Sequence, residues 1–162
     1  MKDSPIITQR LVLHPASNEE ILNMIGRTQD ADLQQAYSEM LQGGADHPDG
    51  RNFYVPWLMV LRDTDTVVGS VGFRGVPEQG AVEIGYGVDS RYEGRGYTTE
   101  AVHAMMEWAF CQEGVCTIWA ETAPDNKASQ HVLEKLQFRP DGRGEEGPRY
   151  RLEKAAMAST SI

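Results

Sequence analysis

The residues best suited to chemistry lie in one run, Val88-Asp89-Ser90-Arg91-Tyr92-Glu93-Gly94-Arg95-Gly96-Tyr97-Thr98-Thr99-Glu100. It leaves a strand-like segment and enters a helical period, and its core is Arg-x-x-Gly-x-Gly at Arg91, Gly94 and Gly96. Glycines at a strand-to-helix turn let a phosphate come close to the backbone. The first N–H groups of the helix lack internal partners, and the helix dipole adds partial positive charge. The expected chemistry is anion binding, with Arg91 and Arg95 adding side-chain charge. Two other phosphate loops do not fit. A dinucleotide fingerprint wants a third glycine where Thr99 stands, and no Gly-Lys-Ser/Thr occurs anywhere in the chain.

The elements that must position this turn can be read from periodicity. Ile6 to Leu13 reads as a strand with apolar Ile7, Leu11 and Leu13. Ser17 with Glu20 forms a capping box for a helix to about Gly26. A second helix is expected from Asp30 to Leu41, stopped by Gly43-Gly44, with a loop from Gly43 to Asn52. Strands follow at Tyr54 to Arg62, Val67 to Arg74 and Ala81 to Val88. Their short turns at Asp63-Thr64-Asp65-Thr66 and Pro77-Glu78-Gln79-Gly80 predict a meander. Then come a helix over Gly94 to Gln112, a strand over Val115 to Glu121 and a helix over Asn126 to Leu136. A loop over Gly142 to Pro148 leads to a last strand near Tyr150 to Leu152. The expected fold is mixed α/β (α+β): a central, mixed, splayed sheet of six to seven strands with helices on both faces. A crevice is expected where the strands from Ala81 and Val115 diverge. One domain over 1–154 and a disordered tail over 155–162 complete the expectation.

Composition limits the function classes. At 162 residues, with 40% hydrophobic and 24% charged residues, the chain suits one globular domain. The formal net charge of -9 argues against nucleic acid and leaves room for a cationic substrate. Cys111 and Cys116 are read as two buried or half-buried thiols. No run approaches the ~20 apolar residues of a membrane span, and a cytoplasmic protein without membrane partners is expected. His103 and His131 lack a second ligand at metal spacing, so no metal is expected. Phe53, Tyr54 and Trp57 are read either as lining for a substrate pocket or as strand packing.

Three segments then carry a resemblance. Glu83-Ile84-Gly85-Tyr86 followed by Arg91-x-x-Gly94-x-Gly96-Tyr97-Thr98-Thr99-Glu100-Ala101 resembles the acetyl-CoA-binding motif of the GCN5-related N-acetyltransferase (GNAT) superfamily. Asn126-Lys127-Ala128-Ser129, with Leu133-Glu134-Lys135-Leu136-Gln137-Phe138, resembles that family's following motif. Thr8-Gln9-Arg10-Leu11-Val12-Leu13 is similar to the first strand of the ribosomal-protein-alanine N-acetyltransferase (RimJ/RimL-like) branch. The resemblance covers roughly residues 6 to 153. It implies a pyrophosphate held by the backbone N–H groups of Gly94, Arg95, Gly96, Tyr97 and Thr98. It implies a pantetheine arm paired with the strand from Ala81 to Val88, and a thioester carbonyl polarised by an N–H near Tyr86 to Val88. Asn126 matches a position that touches the cofactor near the pantetheine.

The implied reaction moves acetyl from acetyl-CoA to a primary amine by direct attack in a ternary complex. The amine belongs to a protein N-terminus or to a small molecule. An alkyl ammonium must lose a proton, and Glu83 is the candidate base, with Glu121 a weaker one. Glu83 shares a strand face with Gly85 and Gly87, and partial burial would raise its pKa; a cross-strand ion pair is the other reading. Many family members protonate the leaving thiolate with a Tyr where this chain has Leu133. The ribosomal-protein branch uses a Ser that Ser129 matches, which makes Ser129 both a catalytic and a cofactor-binding candidate. Gln137 replaces a usual Gly and changes the helix C-cap. A non-catalytic acyl-CoA-binding or sensor module of the same fold is the alternative. The oligomeric state, monomer or homodimer, stays open.

Overall fold

The computed structural model describes residues 4–157. Strands β1 (Ile6–Ile7), β2 (Leu11–Pro15), β3 (Trp57–Leu61), β4 (Val67–Phe73), β5 (Ala81–Val88), β6 (Thr117–Glu121), β7 (Arg139–Arg143) and β8 (Pro148–Glu153) form one sheet in the order β1-β2-β3-β4-β5-β6-β8-β7. Helices α1 (Asn18–Arg27), α2 (Ala31–Asp46), α3 (Tyr97–Phe110), α4 (Lys127–Lys135) and α5 (Lys154–Met157) accompany it, with 3-10 turns at Pro48–Phe53 and Ser90–Tyr92. Every neighbouring pair is antiparallel except β5 and β6.

That one parallel pair opens the sheet. β5 and β6 pair only at Ala81↔Thr117, Val82↔Ile118 and Glu83↔Trp119. Beyond Glu83, β5 pairs with β4 alone, from Phe73↔Ile84 to Gly69↔Val88. The β6-facing edge of Ile84 to Val88 therefore has no strand partner, and its backbone groups are available to an extended ligand.

Alternation along β3 sets the two faces. Trp57 and Met59 are fully buried in the larger core, which α3 and α4 complete with Val102, Met105, Met106 and Leu133. Leu58 joins a smaller cluster with Ile21 of α1, against which Tyr37 and Leu41 of α2 pack. Each such buried side chain contributes about 1.5–3 kcal/mol of transfer free energy.

The mixed α/β expectation holds, with corrections of detail. There are eight strands rather than six or seven, because Thr8 turns the chain back onto Leu11 and splits the first strand, and because β7 forms an edge. The second helix runs through Gly43-Gly44 to Asp46, and the expected loop after it is largely 3-10 turn. Those glycines make space instead of stopping the helix: a Cβ on Gly43 would lie 2.7 Å from a ring carbon of Tyr54, and one on Gly44 3.0 Å from Val55. Both cysteines are exposed, Cys111 at the C-cap of α3 and Cys116 in the turn before β6. Phe53 and Trp57 belong to the core, against Trp108. Gln137 sits at φ +70°, and α4 ends with Phe138 N–H donating to Leu133 O at 2.9 Å and Gln137 N–H to Glu134 O at 3.0 Å. This end normally takes glycine. Of the expected tail, residues 155–157 belong to the short helix Lys154–Met157; residues 158–162 lie outside the described residues.

Candidate active site

The glycine bend is built from both ends. β5 runs out at Val88, and the Asp89 carboxylate accepts the Arg91 backbone N–H at 3.0 Å and its guanidinium at 3.1 Å and 3.2 Å. This contact holds the Asp89 carboxyl below its ordinary value. The Arg95 guanidinium lies 5.5 Å from the Tyr92 ring centroid. Gly94 and Gly96 have φ of +74° and +82°, the left-handed region that other residues enter at a cost. Gly96 is the N-cap of α3, and no side chain caps that end. The opening N–H groups of α3, from Tyr97 and Thr98 onward, therefore keep the donor capacity that an anion uses.

The far side of the bend is braced by Arg10. Its Nη1 donates to Arg95 O at 2.8 Å, its Nε to Glu100 Oε1 at 2.8 Å, and its guanidinium covers the Tyr97 ring at 4.5 Å. Glu100 also accepts the Arg10 backbone N–H at 2.7 Å and the Thr8 hydroxyl. Burial raises the Glu100 carboxyl, but these hydrogen bonds outweigh it and hold the group below its ordinary value.

Tyr86 and Ser129 meet across the splay. Tyr86 leaves β5 on the α3 side, and its hydroxyl lies 2.8 Å from Ser129 Oγ in the first turn of α4. Burial pushes the Tyr86 phenol up to about 12, against the lowering effect of the Ser129 contact. Asn126 caps α4, its Oδ1 accepting the Ser129 N–H at 3.0 Å. Leu133, one turn further along, is fully buried and carries no hydroxyl.

Glu83 lies on the opposite face. Its side chain is 17% exposed, and Arg74 Nε is 3.6 Å from its Oε2. Burial raises the Glu83 carboxyl, Arg74 lowers it, Glu121 and Glu146 raise it and Arg149 lowers it, leaving it above the ordinary value. Both readings open in the sequence, base and ion-pair partner, thus meet in one residue. Glu121 is engaged by the 144–147 loop through the Glu146 N–H. On this face an open trough of about 860 Å³ passes over Ser70, Gly72, Gly85 and Gly87, walled by Met24 and Met40, and reaches Arg74. A Cβ on Gly85 or Gly87 would meet nothing within 4 Å.

The structure therefore brings the cofactor-side candidates into two groups. Arg91, Gly94, Arg95, Gly96, Tyr97 and Thr98 form the bend; Tyr86, Asn126 and Ser129 gather at the α4 N-terminus, with Val88 on the open edge between the two groups. Glu83 stands apart, on the trough side. Sequence reasoning missed the Tyr86–Ser129 contact, Arg74 as the ion-pair partner of Glu83, and Arg149. Each partner lies in a different element, and no local spacing announces such meetings.

An open-edged mixed sheet, a glycine bend at a helix N-terminus and a half-buried carboxylate at the opening define a class of acyl-carrier-using folds. The chain belongs to the family of acetyltransferase (GNAT) domains, which it matches over residues 8–139. Uncharacterized N-acetyltransferase YjdG of Bacillus subtilis (strain 168) is 37% identical over 91 residues, 56% of this chain and 54% of that protein. The chain thus spans about half the length of that curated relative. Among solved structures, the ribosomal L7/L12 alpha-N-protein acetyltransferase RimL in complex with coenzyme A shares the fold at a TM-score of 0.74 and 18% identity, covering 94% of this chain and 99% of that one. Mycobacterium smegmatis RimJ in complex with CoA-disulfide does so at a TM-score of 0.72 and 16% identity, covering 97% and 89%. Among the described residues, no helix is long and apolar enough to cross a membrane.

Proposed function

We propose that this chain is an acetyl-CoA-dependent N-acetyltransferase acting on a primary amine by direct attack. The observation that carries the reading is the parting of β5 from β6 immediately after Glu83↔Trp119, with the uncapped α3 N-terminus at the far end of the same strand. Acetyl-CoA supplies an acetyl thioester and a diphosphate. The residues present fit that group: the opening N–H groups of α3, which no side chain caps, suit the diphosphate, and the unpaired edge of β5 suits an extended amide-bearing arm.

The two faces of β5 divide the labour. The trough on the Glu83 side admits the amine. Glu83 takes the ammonium proton, directly or through water, so that the nitrogen lone pair can form the new C–N bond. A backbone N–H of the Tyr86 to Val88 edge polarises the carbonyl under attack. As the C–S bond breaks, the electron pair leaves on sulfur, where the Ser129 hydroxyl donates a hydrogen bond and relays a proton from water. The Tyr86 hydroxyl and Ser129 Oγ share a hydrogen bond in which either oxygen can donate, and with Tyr86 as donor the Ser129 O–H is left for the sulfur. A phenol raised to about 12 stays protonated at neutral pH and positions Ser129.

The test measures acetyl-CoA binding by calorimetry and coenzyme A release against a panel of amines. Micromolar binding with amine-dependent release supports the reading. Tight binding with no release from any amine would favour the sensor module, and binding of NAD or ATP in preference to acetyl-CoA would end the proposal.

A further inference from the structure

One cation on the trough face has, among the described residues, no acceptor for a buried donor. Arg149 sits in β8, directly opposite Glu121. Its guanidinium lies over the Trp119 ring at 3.9 Å. Its Nε is fully buried, and among the described residues nothing accepts a hydrogen bond from it. Nor does Arg149 join any ion pair among those residues. A buried donor without an acceptor costs about 1–3 kcal/mol, and more when it belongs to a charged group. Such a group calls for a reason.

Its surroundings supply one. Glu121 is turned to the Glu146 N–H. Glu83 is strand partner to Trp119, the residue under Arg149, and already carries Arg74 at 3.6 Å. Glu121 and Glu146 act on Glu83 as well, so three carboxylates share this corner with the guanidiniums of Arg74 and Arg149. If Glu83 receives the amine, Arg149 keeps beside it a donor that no group among the described residues accepts. Stacking on Trp119 covers one face of the guanidinium and leaves its in-plane donors, the geometry that matches a carboxylate fork.

Resting on the acetyl-transfer reading above, we propose that Arg149 anchors a carboxylate of the acceptor. The acceptor is then a primary amine with a carboxylate close to it in the same molecule, its nitrogen at Glu83 and its carboxylate at Arg149. The same chemistry is offered by a free amino acid and by a peptide whose first residue is acidic.

The experiment uses the full chain, acetyl-CoA and matched acceptors. One arm compares free amino acids with their carboxamides. The other compares blocked dipeptides beginning with Asp or Glu with those beginning with Asn or Gln. The carboxylate member is expected to exceed its amide at least tenfold in kcat/KM in one arm, and that arm identifies the source. Arg149→Gln is expected to bring the ratio near one with unchanged acetyl-CoA affinity, and Arg149→Lys to keep part of it. Equal or better use of the amides in both arms overturns the proposal, as does a ratio that survives in Arg149→Gln. Should no acceptor release coenzyme A, the Tm with coenzyme A present is read instead: a carboxylate-specific rise lost in Arg149→Gln supports the anchor, and no difference overturns it. Failure of the acetyl-transfer reading itself shows separately, as failure to bind acetyl-CoA.

Discussion

Arg10 and Arg149 both lay a guanidinium over an aromatic ring, at 4.5 Å and 3.9 Å, yet their surroundings are opposite. Arg10 has Glu100, Arg95 O and Tyr97 around it, and it ties the first hairpin to the glycine bend. Arg149 has Trp119 beneath it and no acceptor for its buried Nε among the described residues. A cation whose Nε and Nη1 both find acceptors inside the chain is scaffold. A half-buried cation whose donors are left over, beside a carboxylate of raised pKa, belongs to a site that something else completes.

The strongest way to break this contrast is at Glu83. Glu83→Gln keeps the shape and removes the base, so turnover is expected to fall by about 100-fold or more while acetyl-CoA affinity stays put. Steady-state rates with a saturating amine check it, and unchanged turnover would strip the Arg149 corner of its chemistry. Next in size is the pair across the splay. Tyr86→Phe and Ser129→Ala are each expected to lower kcat about tenfold, with the double variant no worse than the poorer single, because one hydrogen bond joins them. Multiplying losses would show two independent roles.

Stability separates the two arginines directly. Arg10→Met removes charge-assisted hydrogen bonds that are partly exposed, and about 1–2 kcal/mol of stability should go with them. Arg149→Met keeps the packed stem, loses an unpartnered buried donor, and should leave the Tm unchanged or slightly raised. Denaturant midpoints of both variants decide; an equal loss in each would erase the distinction. The Arg10 corner also predicts an acid dependence. Because the folded Glu100 carboxyl lies below its ordinary value, its contribution is present at neutral pH and is lost as pH falls below the usual carboxylate range and through that depressed value. Glu100→Gln should flatten that part of the stability profile.

How much of this was legible in the chain depends on how local the cause is. The Ser17–Glu20 capping box is a four-residue pattern, and it forms as read. The Arg91 to Gly96 bend was equally visible, since two left-handed positions before a helix ask for glycine. Gly43-Gly44 carries the same local signal with another cause: Tyr54 and Val55, eleven residues on, pack against it, and only tertiary structure shows that. β7 was hidden because Arg139-Pro140-Asp141-Gly142-Arg143 is exposed throughout and has no apolar alternation to read. Ser129 and Glu83 were recognisable by position. Tyr86 as the partner of Ser129, 43 residues away, and Arg149 over Trp119 required the sheet to close first.

The smallest expected effect is the most specific to the Glu83 corner. Burial raises the Glu83 carboxyl and Arg74 is the leading influence that lowers it. A base must be ionised, so turnover should rise with pH through the folded Glu83 pKa, giving an acidic limb above the ordinary carboxylate value. Arg74→Gln removes a lowering cation, raises that pKa and moves the limb toward alkaline pH. The shift stays modest because the Arg74 side chain is 58% exposed and its field is screened. Arg149→Gln should displace the limb in the same direction by less, since Arg149 is the weakest of the influences on Glu83. A limb that stays in place in Arg74→Gln would mean that another group titrates there, and that Glu83 serves the ion pair alone.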